Sequence, residues 1–245
     1  MSAPKVLVLR AAGTNCDRET AHAFELCGAE TEIVHVNRLL QEPGMLAQYK
    51  IFALPGGFSY GDAVAAGRVL AVELRSHAMA AVHDFIADGG LILGICNGFQ
   101  VLVKAGILPG PASQGQVTSV VDNDSHRYQD QWVELEVATD RCVFVQKGER
   151  YLCPIAHAEG KFVAPDPVLD ALEERGQVVF RYAANPNGSH RDIAGICDET
   201  GRVLGLMPHP ERHVTGWHHP YWTRNGLKDE GDGIRLFRNA VAAVS

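Results

Sequence analysis

Three unbroken apolar runs, Val6–Leu9, Ile51–Leu54 and Leu91–Ile95, most constrain what this chain can fold into. Each is too short for an ordinary helix and lacks the polar alternation of a half-exposed strand. A strand that is apolar at every position must be covered on both faces, as in a parallel sheet flanked by helices. The intervening sequence supplies the helices. Asn15 or Asp17 can cap one that runs to about Cys27 and closes at Gly28. Thr31–Val36 reads as another strand. Helical patterns cover roughly Ala63–Arg75, Ser76–Asp88 and Asn97 to Ala105.

The second half changes character. Gln116–Val121, Trp132–Val137, Tyr151–Ala156, Val178–Tyr182, Ile193–Cys197 and Val203–Met207 all read as strands. Asn185-Pro-Asn-Gly-Ser and Asp198-Glu-Thr-Gly supply turn chemistry between them. These strands predict an antiparallel flap or extension of the sheet. A last helix spans roughly Asp232–Val244 and packs its Ile234, Leu236, Phe237 and Val241 side inward. Pro165–Arg175 fits no element clearly. The 245 residues show no linker or repeat and predict one domain over 1–245.

Composition narrows the function classes. The net charge is −7 and no basic run exists, so nucleic acid is not an expected partner. No apolar stretch reaches membrane-spanning length and no leader pattern opens the chain. No membrane association is expected, and the cytoplasm is the expected location. None of the six cysteines forms a C-x-x-C pair or a zinc-finger spacing, so no metal is expected and the thiols should be reduced.

One cysteine stands apart. In Leu91-Ile-Leu-Gly-Ile-Cys-Asn-Gly-Phe-Gln100 a strand runs through G-x-C-x-G into a helical pattern. This is the strand-turn-helix arrangement that presents a nucleophile above a sheet. Gly94 and Gly98 relieve crowding at the turn. Cys96 falls at a helix N-terminus, which favours a thiolate, and the Asn97 N–H can meet an oxyanion. The other five cysteines read as small buried side chains, with Cys16 at a loop or helix start. Pro55-Gly-Gly-Phe-Ser-Tyr-Gly-Asp62 follows the third strand, and its glycine pair can turn backbone N–H groups toward a ligand.

A thiolate needs a base. The strand at Val203 ends in Pro208-His-Pro-Glu211, whose prolines restrict the backbone around His209. Glu211, two residues on in an extended chain, can face the same side and orient the imidazole. The competing reading is a solvated turn.

Together, Gly94-Ile-Cys-Asn-Gly-Phe-Gln100, Pro55-Gly-Gly and Pro208-His-Pro-Glu211 resemble the class I, or triad, glutamine amidotransferases. The closer resemblance is to the glutaminase subunits of phosphoribosylformylglycinamidine synthase. Arg10-Ala-Ala-Gly-Thr-Asn-Cys-Asp-Arg18, Gly56-Gly-Phe-Ser-Tyr-Gly-Asp62, Ile155-Ala-His-Ala-Glu-Gly160, Asn187-Gly-Ser, Ala194-Gly-Ile and Met207-Pro-His-Pro-Glu-Arg212 carry it. Ala11-Ala12 and Ala158 depart from the usual pattern. Gly216–Asp232 is not matched in the same detail and is left as a candidate docking surface.

The resemblance implies an α/β fold with a flavodoxin-like, mostly parallel central sheet, helices on both faces and an antiparallel extension in the second half. It implies Cys96 as nucleophile, His209 as base and Glu211 behind it, with Gly57 and Asn97 N–H groups as the oxyanion hole. Gln100 would contact bound glutamine. Asp62 and His157 are further candidates for the glutamine pocket or for coupling to an interface, against a loop cap and a surface histidine. The implied partner is a synthetase subunit that binds ATP and magnesium, leaving this chain without a cofactor of its own. The family's shorter forms imply a small bridging subunit as well. The alternatives are a glutaminase for GMP, CTP, anthranilate or imidazole-glycerol-phosphate synthesis, a peptidase or γ-glutamyl hydrolase, and a binding subunit without activity.

Overall fold

The computed structural model describes residues 3–110 and 115–245, so the first two residues of the N-terminal stretch read above lie outside it. Its centre is a nine-stranded sheet. The parallel half is built from β1 (Lys5–Arg10), α1 (Asp17–Leu26), β2 (Glu30–His35), α2 (Val36–Gln41), β3 (Ile51–Leu54), α3 (Arg68–His77), α4 (Met79–Ala87), β4 (Leu91–Ile95) and α5 (Asn97–Ala105). The rest adds β5 (Ser119–Asp122), β6 (Gln129–Val137), β7 (Arg150–His157), β8 (Glu159–Val163), α6 (Asp166–Glu174), β9 (Val178–Tyr182), β10 (Ile193–Cys197), β11 (Val203–Leu206), α7 (Trp222–Asn225) and α8 (Ile234–Val244).

The strand order is β2-β1-β3-β4-β11-β10-β9-β6-β7, with β5 and β8 forming a separate ribbon. Pairing is parallel from β2 across to β11 and antiparallel from β11 to β7. The expected α/β class with a parallel first half and antiparallel extension is the fold found. Strands β3, β4 and β11 are buried along their whole length, as their unbroken apolar sequence requires. The helices flank them in two groups. Helix α1 packs on α8, where Phe24 and Phe237 meet edge to face at 4.9 Å, and α5 packs on α3. No helix among the described residues is long and apolar enough to cross a membrane.

The antiparallel half curls back on itself. The His209 N–H, just past β11, donates to the Pro154 carbonyl on β7 at 2.8 Å. The strand at the far end of the order therefore returns to the centre of the sheet.

Several sequence expectations need correction. Asn15 and Asp17 do not cap α1. Cys16 holds that position, and Asp17 lies inside the first turn, ion-paired with Arg10. Helix α3 begins at Arg68 rather than Ala63. A partly buried pair fixes the preceding loop: the Glu159 carboxylate accepts the Ala66 N–H at 3.2 Å and Lys104 Nζ donates to the Ala66 carbonyl. Tyr60, Asp62, Val64 and Gly67 accordingly take positive φ, and the chain cannot be helical there. The unplaced segment Pro165–Arg175 contains α6, with Leu169 and Leu172 buried. Strand β8 and helix α2 were not anticipated.

Close packing under the turn at residue 96 rests on glycine. A Cβ on Gly98 would lie 1.9 Å from the Leu54 carbonyl oxygen. Gly98→Ala should therefore lower the unfolding free energy by about 3 kcal/mol in urea titration, because the obstacle is backbone. A loss under about 1 kcal/mol would show that β3 and α5 can move apart freely.

Candidate active site

The turn between β4 and α5 sets the site. Cys96 has φ 51° and ψ −106°, a left-handed conformation that costs a residue with a side chain on the order of 1–3 kcal/mol. The surroundings hold it there. The Cys96 N–H donates to the Leu206 carbonyl at 2.8 Å and its carbonyl accepts from the Gln100 N–H at 3.1 Å. Its Sγ lies 4.0 Å from the Ala156 carbonyl at the end of β7. The parallel half and the curled antiparallel half thus meet at this thiol.

His209 and Glu211 follow β11, and Nδ1 of His209 stands 2.6 Å from Glu211 Oε1. Both side chains are buried, at 2% and 0% exposure. The expected route between them was an extended chain. Instead Pro210 starts a 3₁₀ turn, with Arg212 N–H donating to the His209 carbonyl, and the turn brings Glu211 under the ring. Burial alone pushes the imidazole pKa down. The Glu211 charge, then the Cys96 charge and the contacts to the Cys16 and Cys96 thiols, outweigh it and hold the pKa well above the usual range. The imidazole is therefore poised as an ion-pair partner.

The glycine pair of the 55–57 turn has two uses. A Cβ on Gly56 would lie 2.7 Å from His209 Cε1, so any larger residue would strike the ring. Gly57 adopts φ 131°, and among the described residues its N–H donates to no protein acceptor. The Asn97 N–H is one of the free donors at the start of α5.

The remaining candidates belong to a polar network beside the thiol. Asn97 accepts from the Ser59 N–H at 3.2 Å and donates to Asp62 at 3.3 Å and to Gln100 Oε1 at 3.0 Å. The Gln100 amide donates in turn to the Glu159 carbonyl. Both ends of the Gln100 side chain are thus engaged within the protein. Asp62 is half-buried, and burial followed by the Glu159 charge raises its pKa.

His157 is no surface histidine. It is 3% exposed, its ring nitrogens have no hydrogen-bond partner, and a Cβ on Gly160 would fall 2.0 Å from the ring. Sequence reasoning had Gly56 as part of the glycine pair but missed Lys104, Glu159 and above all Cys16. That thiol is buried beside His209, accepts from Arg212 Nη2 at 3.1 Å, and lies 3.2 Å from where a Gly56 Cβ would be. Its place in the Asn15-Cys16-Asp17-Arg18 motif was the available signal.

Residues 3–244 match the family model of the CobB/CobQ-like glutamine amidotransferase domain. The chain is 51% identical to the phosphoribosylformylglycinamidine synthase subunit PurQ of Dehalococcoides mccartyi, covering 98% of both chains. It is 40% identical to the PurQ subunit of Archaeoglobus fulgidus, over 97% of this chain and 96% of that one. The structure of PurLQS from Thermotoga maritima contains a chain that superposes with TM-score 0.79 at 34% identity, over 99% of this chain and all of that one. The class is glutamine amidotransferase. Within it, the chain belongs to the PurQ family, the glutaminase subunits of phosphoribosylformylglycinamidine synthase.

The buried imidazole of His157 yields a pH prediction. Burial first, and the His209 charge second, push its pKa down to about 4. In the unfolded chain an imidazole titrates near 6.5. Between these values the unfolded chain takes up a proton that the folded chain refuses. Stability is therefore full above about pH 6.5 and falls as the pH drops toward 4, by on the order of 3 kcal/mol. Denaturant unfolding of His157→Asn should show a flatter stability–pH curve than wild type across that window. Parallel curves would mean the folded protein protonates the ring freely.

Proposed function

We propose that this chain hydrolyses glutamine at Cys96 and passes the ammonia to a synthetase subunit that converts formylglycinamide ribonucleotide to formylglycinamidine ribonucleotide in purine biosynthesis. The observation that carries this reading is the convergence of a strained thiol, a buried imidazole and a fully buried carboxylate at the ends of β4 and β11.

The steps follow from the groups present. His209 takes the Cys96 proton, and the thiolate attacks the carboxamide carbon of glutamine. The Gly57 and Asn97 N–H groups receive the charge on the oxygen of the tetrahedral intermediate. His209 returns the proton to the departing nitrogen, so ammonia leaves and a γ-glutamyl thioester remains. Water activated by His209 then releases glutamate and the free thiol. Glu211 holds the ring in one orientation and stabilises its cation. Asn97, Gln100 and Asp62 brace the loop beside the substrate, with His157 behind the β7 end.

Ammonia released into water would be protonated and lost, so a synthetase must dock close to the site. The chain has no G-x-x-x-x-G-K-[ST] loop for phosphate. ATP and magnesium therefore belong to that partner. The Thermotoga relative is part of a PurLQS assembly, which supports a PurL-type synthetase and a small PurS-type subunit as partners. Apolar groups on the surface, Phe58 beside the oxyanion loop, Val64 at 92% exposure and Tyr128, suit such a contact.

Two variants test the reading in the complex. Cys96→Ala should abolish synthesis from glutamine and leave synthesis from ammonium salts intact. Loss of both would make Cys96 a structural residue. Glu211→Gln should lower kcat for glutamine hydrolysis by on the order of 10⁴ with little change in KM, as removal of a triad carboxylate does elsewhere. A variant that keeps most of its kcat would leave Glu211 no part in orienting the base.

A further inference from the structure

The mechanism above makes no use of Cys16, yet this thiol lies inside the site. Cys16 Sγ, a ring nitrogen of His209 and a carboxylate oxygen of Glu211 lie within 4.8 Å of one another, all on buried residues. No other three ligating side chains converge in this way among the described residues. A second observation points to a ligand: Glu211 Oε2 is buried, has no hydrogen-bond partner and is not used by the mechanism. Unmatched donors and acceptors at such depth are costly.

Thiolate, imidazole and carboxylate are the three side-chain ligand types zinc accepts. A Cys16 thiolate and the Glu211 carboxylate bring two negative charges and a neutral imidazole brings none, which balances a divalent cation. Arg212 donates to Cys16 Sγ but is itself paired with Glu19 at 3.2 Å. It can stay as an outer donor to a metal-bound sulfur.

We propose that Cys16, His209 and Glu211 form an inhibitory site for a thiophilic divalent cation, with Zn²⁺ as the representative ion. On binding, the Cys16 thiol loses its proton to solvent, as does the ring nitrogen that takes the ion if it carries one. The metal then ties up the base and its carboxylate, and His209 can no longer serve Cys96. Cys96 itself is not a ligand, which separates this site from metal capture by the nucleophile.

The test uses Co²⁺ on the full chain under anaerobic conditions, reading the thiolate-to-cobalt charge-transfer band. The band should appear in wild type and in Cys96→Ala, be displaced by Zn²⁺, and be missing from Cys16→Ser. In the complex, buffered Zn²⁺ should inhibit glutamine hydrolysis reversibly. Cys16→Ser, referred to its own uninhibited rate, should need more Zn²⁺ by a factor beyond the roughly 10–100-fold that loss of an outer partner costs. No band in wild type, or a band that survives in Cys16→Ser and vanishes in Cys96→Ala, would overturn the proposal. Should Cys16→Ser fail to fold, peptide mapping after alkylation of wild type decides. Zn²⁺ protection of Cys16 supports the site, and an unprotected Cys16 refutes it. The cobalt band does not depend on glutamine turnover, so its failure is distinct from failure of the proposed function.

Discussion

The hydrogen bond from the His209 N–H to the Pro154 carbonyl is the constraint on which the site depends. In strand order β7 is the far edge of the antiparallel half, and Cys96 sits at the end of β4 in the parallel half. The curl that this bond closes lets Ala156 approach Cys96 and lets His209 stand between the halves. Pro154 donates no backbone N–H, so its carbonyl is the group that β7 can offer at this point. The prolines flanking His209 restrict the backbone just where the bond must form. The geometry of the candidate site is thereby written into backbone pairing rather than left to side-chain packing.

The same closure buries charge, which must then be matched. Glu211 has no exposed side-chain surface, and a carboxylate in such a place needs a partner. His209 supplies it, and its raised pKa follows from the Glu211 charge prevailing over burial. His157 shows the opposite outcome within the same half. It has no acid beside it and lies near a cationic ring, so burial and repulsion act together and the ring stays neutral. Two histidines of one chain are driven apart in basicity by their neighbours, one raised by an acid and the other lowered by burial.

What the sequence revealed follows from how local each signal is. Strands β3 and β4 and helix α5 have the limits read from the residues, because unbroken apolar runs and flanking glycines specify them without distant help. The missed elements depend on partners far along the chain. Strand β8 leaves β7 after a single residue to pair with β5, and no turn residue marks the change of sheet. Ala63 to Ala66 has helical composition, but Lys104 and Glu159 fix the Ala66 backbone from distant positions. Cys16 reads as a small side chain at a loop or helix start, since its relation to His209 exists only in the folded chain. The pairing of His209 with Glu211 was legible, but its route was not. Spacing of two suggested an extended segment, and Pro210 at the start of a 3₁₀ turn reaches the same contact another way.

The polar network beside Cys96 explains why the oxyanion loop can be both strained and ordered. Tyr60, Asp62 and Val64 hold positive φ in a stretch with little apolar packing of its own. Such backbone persists only where the surroundings over-determine it. Here Asn97 and Gln100, on the first turn of α5, reach the loop and the start of β8 at once, while the Lys104–Glu159 pair at 3.6 Å clamps Ala66. The helix that begins at Cys96 therefore also carries the braces for the loop that precedes α3. A continuous chain of hydrogen bonds thus runs from the start of β8 through Gln100 and Asn97 to the turn that holds the thiol.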